Sequence, residues 1–209
     1  MNIYRLYHPF LRYFRKKRMK EFYSAYNLEQ AMRVLDVGGD FFNWSFFSAG
    51  HSLTIVNLYF PEKNQWNVSW VIADGRYLPF KKGAFDVVYS NSVIEHVENF
   101  KNQNLFASEC RRVGVGYYVQ TPNKRFPIEP HLITPFIHWL PRDVQKRLLR
   151  YFTVWGLVAK PSRQERDHFM NTTCLLSEKE LRELFPDAEI WYERVVGLKK
   201  SLMAVRLPG

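Results

Sequence analysis

The chain has 209 residues, a length that suits one domain of moderate size, and its 46% hydrophobic content supplies a core and excludes disorder of the whole. Net charge is +10, unevenly spread. Arg5, Arg12, Arg15, Lys16, Lys17, Arg18 and Lys20 face only Glu21 before residue 27, a local charge of +6; this excess points to an anionic neighbour of the N-terminal segment and away from a general nucleic-acid binder.

Residues 3–27 read as helix in two pieces, with Ile3, Leu6, Tyr7, Phe10, Leu11 and Phe14 at helical spacing, Pro9 as the break, and Phe22 and Tyr26 continuing the stripe. The period then changes. Arg33 to Gly39 is a short β-branched run ending in glycines, a buried strand entering a tight turn. Similar runs follow at 53–58, 70–74, 85–91 and 114–121, with helical stretches at 93–98 and 102–113. Strands alternating with helices predict a parallel sheet covered on both faces. Residues 132–160 show no strand pattern; Val144, Leu148, Leu149 and Phe152 predict an amphipathic helix inside a long insertion. Ser177 to Glu180 is a capping box, and strands at 189–196 and 202–207 around a turn at Gly197 to Lys200 form a closing hairpin.

Cys110 and Cys174 offer neither a metal-ligand spacing nor a disulfide framework, and read as small core residues in a reducing compartment. No apolar run approaches the ~18–20 residues that cross a bilayer, and the basic N-terminus lacks a cleavage site. A cytoplasmic location is expected, so the N-x-S/T triplets at Asn43, Asn67 and Asn171 carry no glycosylation argument.

The residues with chemistry lie at strand ends. Asp36 sits inside an apolar strand two residues before Gly38-Gly39, where a charge is costly unless paired and where glycines let backbone amides approach a ligand. Asn57 ends the second strand about twenty residues later, the place where doubly wound sheets meet ribose hydroxyls. Asp74-Gly75-Arg76 ends the third, where a carboxylate suits an exocyclic adenine amine, and Asn91 ends the fourth. Open α/β sheets bind ligands at these carboxyl ends. The first turn reads Gly38-Gly39-Asp40-Phe41-Phe42-Asn43, not the G-x-G-x-x-G of dinucleotide-dependent hydride transfer.

In order and register over about residues 33–123, the runs VLDVGGD, IVNL, ADGRYLPF and FDVVYSNSVIEHV together resemble the class I S-adenosylmethionine-dependent methyltransferases, in particular the broad small-molecule, type 11-like group. The resemblance implies an α/β, Rossmann-like, doubly wound sheet of seven mostly parallel strands with a reversed C-terminal strand, and S-adenosylmethionine as methyl donor. It places Asp36, Gly38 and Gly39 around the methionine part. Asn57 and Leu58 then meet ribose and adenine, Asp74, Gly75 and Arg76 edge the adenine, and Asn91 lies near the methionine backbone or the methyl. Two departures stand out: Asp40-Phe41-Phe42 replaces a third glycine, and Asn57 replaces an acid. They leave a degenerate, non-catalytic binding module as the alternative.

The Pro-rich loop Thr121 to His131 follows the fifth strand, so His131, oriented by Glu129, is the first candidate base, and His96 of the Glu95-His96 pair is the second. Metal-binding relatives carry a further acid three positions before such a glutamate; Ser92 stands there, and no metal is expected. The expected organisation is one methyltransferase domain over 1–209: a basic helical segment at 1–30, a cofactor core at 31–131, a helical lid at 132–170, and a closing helix and hairpin at 171–209. The expected acceptor is a small molecule, a glycan or a lipid-linked intermediate. Nucleic acid is not expected. Residues 3–26, with Phe10, Phe14 or Phe22 inserted, would make peripheral contact with an anionic membrane.

Overall fold

In the computed structural model, the backbone is described at residues 3–28, 32–46, 51–61 and 68–208, with side chains from residue 12 onward. Phe10, Leu11 and the other stripe side chains before them, and Asn67, therefore lie outside the described residues. The elements run α1 (Ile3–Tyr26), β1 (Arg33–Val37), α2 (Phe41–Trp44), β2 (Ser52–Asn57), β3 (Val68–Ile72), β4 (Phe85–Asn91), a 3-10 turn (Ile94–His96), α3 (Phe100–Val113) and β5 (Gly114–Pro122). There follow β6 (Ile128–Glu129), β7 (Thr134–Pro135), α4 (Arg142–Phe152), α5 (Val154–Ala159), α6 (Arg163–Thr172), α7 (Glu178–Leu184), β8 (Glu189–Val195) and β9 (Leu198–Arg206).

Seven strands form one sheet in the order β3-β2-β1-β4-β5-β9-β8. β1 to β5 pair in parallel, and β9 runs antiparallel to both its neighbours. This is the expected doubly wound sheet with a reversed C-terminal strand. Strand parity divides the core. Leu35 and Val37 of β1 pack with Phe106 and Cys110 of α3 on one face. Val34, Ile55, Val87, Tyr89 and Tyr118 pack against Met19, Phe22 and Tyr26 of α1 on the other. A third cluster, Leu132, Ile137, Leu149 and Met170, holds the insertion together.

Five expectations are corrected. α1 is one continuous helix through Pro9. It ends where Asn27 adopts φ 48° and the Leu28 N–H returns to the Tyr23 carbonyl at 3.2 Å, a left-handed cap with an apolar residue folded beneath it. Phe14 and Phe22 are buried residues of this helix, 7% and 0% exposed, so neither is free to enter a membrane; Phe22 packs against β1, β4 and β5, and Phe14 lies under Lys200 Nζ at 3.7 Å. The segment 132–160 does contain a strand, β7, paired with β6 in a two-residue ladder too short for periodicity to reveal. The 3-10 turn at Ile94–His96 replaces the helix expected over 93–98. The closing hairpin turns at Val196-Gly197, both at positive φ (48° and 79°), so β9 starts at Leu198 and the expected turn residues Lys199 and Lys200 lie in the strand. Among the described residues, no helix is long and apolar enough to cross a membrane.

Candidate active site

The carboxyl ends of β1, β2 and β3 open onto a cleft of about 230 Å³. Gly38, Asn57, Leu58, Asp74 and Gly75 line one side; Ser92, Val93 and His96 from the turn after β4 line the other. Gly38 holds φ +78°, and a Cβ there would come within 2.6 Å of Val93. At Gly75 a Cβ would meet Phe106 at 2.7 Å, and at Gly39 it would reach Asp36 Oδ2 at 1.9 Å. The turn is thus glycine-specific by conformation at Gly38 and by space at Gly39.

Asp36 lies beneath the turn, outside the cleft lining. It shares the parity of Val34 and so points to the α1 face, where it is fully buried. Trp44 Nε1 donates to Asp36 Oδ2 at 2.7 Å, while Oδ1 is buried without a hydrogen-bond partner. Burial pushes the carboxyl up to about 8, the Trp44 bond only partly opposing it. The two departures in the motif have structural work. Asp40 caps α2, its Oδ1 accepting the Phe42 N–H at 2.9 Å. Asn57 donates Nδ2 to the Gly39 carbonyl at 2.9 Å and accepts the Leu58 N–H at 2.8 Å. An acid at position 57 would set a carboxylate against that carbonyl, which explains the amide.

Asp74 faces the cleft but is held by Arg76, with Nε at 3.0 Å from both oxygens and Nη2 at 2.6 Å, and this pairing keeps the carboxyl below its ordinary range. Arg76 therefore acts on Asp74 and stands outside the lining. Asn91 also stands outside it, with Oδ1 buried and unpartnered.

His96 is in the cleft wall; His131 is not, and stands beside it with ring centroids 4.8 Å apart at 78°. Glu129, itself 2% exposed, accepts from the Leu132 N–H and bonds His131 Nδ1 at 2.7 Å. Burial works against a charged His131, but Glu129 by charge and hydrogen bond, with Glu95, raises its pKa above the ordinary value. Desolvation and the facing His131 lower that of His96. Glu95 is buried, with Oε2 accepting from Thr121 Oγ1 at 2.9 Å and Oε1 unpartnered. Glu95, His96 and His131 bring ligating atoms within 4.8 Å of one another, a grouping invisible to a search of neighbouring positions. Trp44 beneath the glycine turn was also missed, for its apolar surroundings mark it only as core.

Comparison with known proteins agrees with this geometry. Residues 51–115, from the start of β2 into β5, match the family model described as a methyltransferase domain. No curated protein sequence matches the chain. Among solved structures it is similar to the Burkholderia thailandensis 1,6-didemethyltoxoflavin-N1-methyltransferase bound to its substrate and S-adenosylhomocysteine, at 16% identity and a TM-score of 0.56, over 93% of this chain and 79% of that one. A Pyrococcus horikoshii OT3 protein aligns at 17% identity and a TM-score of 0.56, over 94% and 92%. A Rhodobacter sphaeroides protein, named for Zn-dependent alcohol dehydrogenases, aligns at 13% and 0.58, over 90% and 88%. Likeness at such identities is one of fold. Residues 51–115 are thus similar to a methyltransferase domain, and the seven-stranded sheet with its reversed strand has the fold of these solved structures.

Proposed function

We propose that this protein transfers a methyl group from S-adenosylmethionine to a small-molecule, glycan or lipid-linked acceptor. The observation that carries the reading is the cleft at the ends of β1 to β3, where Gly38, Gly39 and Gly75 leave no room for a Cβ and an orphaned carboxyl oxygen of Asp36 lies beneath the turn. These residues fit the donor. The turn amides and Asp36 would hold its methionine part, Asn57 and Leu58 its ribose and adenine, and Asp74, braced by Arg76, the adenine amine. The bound donor supplies an electrophilic methyl carbon on a sulfonium sulfur.

The chain's own task is then positioning, which can contribute roughly 7–11 kcal/mol to a well-oriented transfer. With the donor bound, an acceptor atom attacking that carbon would return the carbon–sulfur pair to sulfur, and its proton would need a base. His131, its pKa raised by Glu129, is suited to take that proton near neutral pH, with His96, the weaker base, between it and the cleft. Titration with S-adenosylhomocysteine by calorimetry should show one site. Asp74→Ala should weaken it by about 1–3 kcal/mol, the cost of an unpaired polar group. Absence of binding at millimolar ligand to the folded protein would overturn the reading.

A further inference from the structure

The insertion between β7 and α7 carries apolar side chains that the fold does not bury. α4 is anchored on one face: Leu149 is fully buried, and Leu148 packs beside it in the cluster of Leu132, Ile137 and Met170. Helical periodicity places Val144 and Tyr151, seven positions apart, together on another face, and Phe152 follows at the helix end. Tyr151 and Phe152 are 64% and 68% exposed, and α5 adds Leu157 at 58%. Just before α4, Phe136 and Trp139 stand 5.2 Å apart between ring centroids, and both are exposed. Phe136 does so at φ 59°, a left-handed conformation that a bulky residue rarely adopts, so the backbone bears a cost to hold an exposed ring. Single exposed apolar residues are ordinary, whereas a run of them on one insertion marks a contact surface.

The same helix is strongly basic. Arg142, Lys146 and Arg150 recur every four residues and form a row, with Arg147 between that row and the apolar face, against one acid, Asp143. All four cations are exposed. Among the described residues none of them has a carboxylate partner, and Arg150 lies over the Tyr151 ring at 5.6 Å. This juxtaposition selects among occupants. A nucleic acid would answer the cations and leave Tyr151, Phe152 and Leu157 in water. A second copy of the chain would bring four more cations into the contact. An anionic bilayer answers both features, because its phosphate groups meet the cations while the rings and Leu157 enter the boundary beneath them.

We infer that the insertion docks on an anionic bilayer through α4 and α5, with Tyr151, Phe152 and Leu157 inserted and Lys146, Arg147 and Arg150 at the headgroups. The membrane contact expected of residues 3–26 is thereby assigned to a different segment. Trp155 of α5 lines a cavity of about 590 Å³ together with His96, His131 and Phe169. Docking would set this cavity near the lipid surface, where a lipid-linked acceptor would enter it. That consequence rests on the methyl-transfer reading, while the docking itself rests on the exposed face alone.

The test is cosedimentation of the full chain with vesicles of phosphatidylcholine alone and with about one-third phosphatidylglycerol, at about 0.05 and 0.5 M salt. At low salt the chain should bind the anionic vesicles roughly tenfold tighter than the neutral ones, and at high salt most of that affinity should be lost. The triple change Lys146→Gln, Arg147→Gln and Arg150→Gln should weaken binding roughly tenfold, and so should the double change Tyr151→Ser and Phe152→Ser. Both alter exposed side chains only, so the melting temperature and whatever S-adenosylhomocysteine affinity the wild type shows should not change. Lys16→Gln, Lys17→Gln and Lys20→Gln together remove equal charge from exposed positions of α1 and should leave most of the binding intact. Absent binding to anionic vesicles at low salt, or equal binding to neutral ones, would overturn the inference. So would full vesicle affinity in the Tyr151 and Phe152 variant, which would leave a general polyanion surface, or a loss in the α1 variant as large as in the α4 one. A dimer in sedimentation equilibrium that the Tyr151 and Phe152 variant dissolves would give the face to a second copy and overturn it as well. Lack of S-adenosylhomocysteine binding by a chain that still binds vesicles would count against the donor reading alone.

Discussion

The two sides of Ser92 are built by different means. The donor cleft is made of backbone: glycines that admit no Cβ, strand ends in parallel register, and short side chains such as Asn57 that tie one strand end to the next. A cavity beyond Ser92 is made of side chains from α1, the loop after β5, and β8 and β9, held by a buried three-residue ion cluster. Backbone walls hold a fixed ligand that many proteins share. Side-chain walls vary without disturbing the sheet.

Substitutions on each side should separate these roles. The largest effect is expected from Gly39→Val. Its Cβ would sit 1.9 Å from Asp36 Oδ2 and 2.2 Å from Cγ, so the buried carboxyl that Trp44 Nε1 holds at 2.7 Å would have to move. We expect at least a hundredfold loss of S-adenosylhomocysteine affinity and about 1–3 kcal/mol of destabilisation from overpacking, read by calorimetry and thermal melting. An unchanged affinity would move the donor out of this cleft.

Arg18→Met should act oppositely, on stability and not on the donor. Removing one partner of a buried pair costs about 3–5 kcal/mol when the remaining charge is abandoned. Here Lys200 and Ser201 still contact Glu193, at 2.9 and 3.3 Å, so the loss should fall at or below the low end of that range. Adding Glu193→Leu should restore part of it. Donor affinity falling in step with Arg18→Met would show that the two sides are not separable.

The smallest effect is a pH dependence beneath the glycine turn. Burial raises Asp36 to about 8 in the folded chain, from an ordinary value of 3.8. Between those values the folded state holds a proton that the unfolded state has released, so this group's contribution to stability declines as pH rises through the window. Asp36→Asn keeps an acceptor for Trp44 and removes the titration. Its melting temperature relative to wild type should therefore be higher at pH 8.5 than at pH 5. A difference that does not change with pH would mean that Asp36 titrates normally.

Much of the cleft at the ends of β1 to β3 was readable from sequence because its signals are local. Val34 to Gly39 states strand, parity and turn in six consecutive residues, and the Ser177 capping box marks the start of α7 by itself. Where several outcomes share one local pattern, the reading failed. The apolar stripe of α1 fits a membrane face as well as a core face, and Phe22 was settled only by Tyr89 and Tyr118 packing on it at 4.7 and 5.5 Å between ring centroids. The closing hairpin followed the positive-φ pair Val196-Gly197, although a β-branched residue in that conformation is disfavoured and gives no sequence signal.

By itself, the sequence determined the strand order of motifs, the glycine turn and the strand ends that line the cleft, because parallel strands, their parity and their turns are set by neighbours along the chain. Only the tertiary structure decided what stands together across it: Arg18 with Glu193 and Lys200, Glu95 and His96 with His131, and Trp44 under Asp36. Arg18 stands 175 positions from Glu193, and no local pattern pairs Trp44 with Asp36; the energies of such groupings depend on shared burial. A charge that reads as solvated in the sequence becomes costly and directional once the sheet, α1 and the loop after β5 have closed around it.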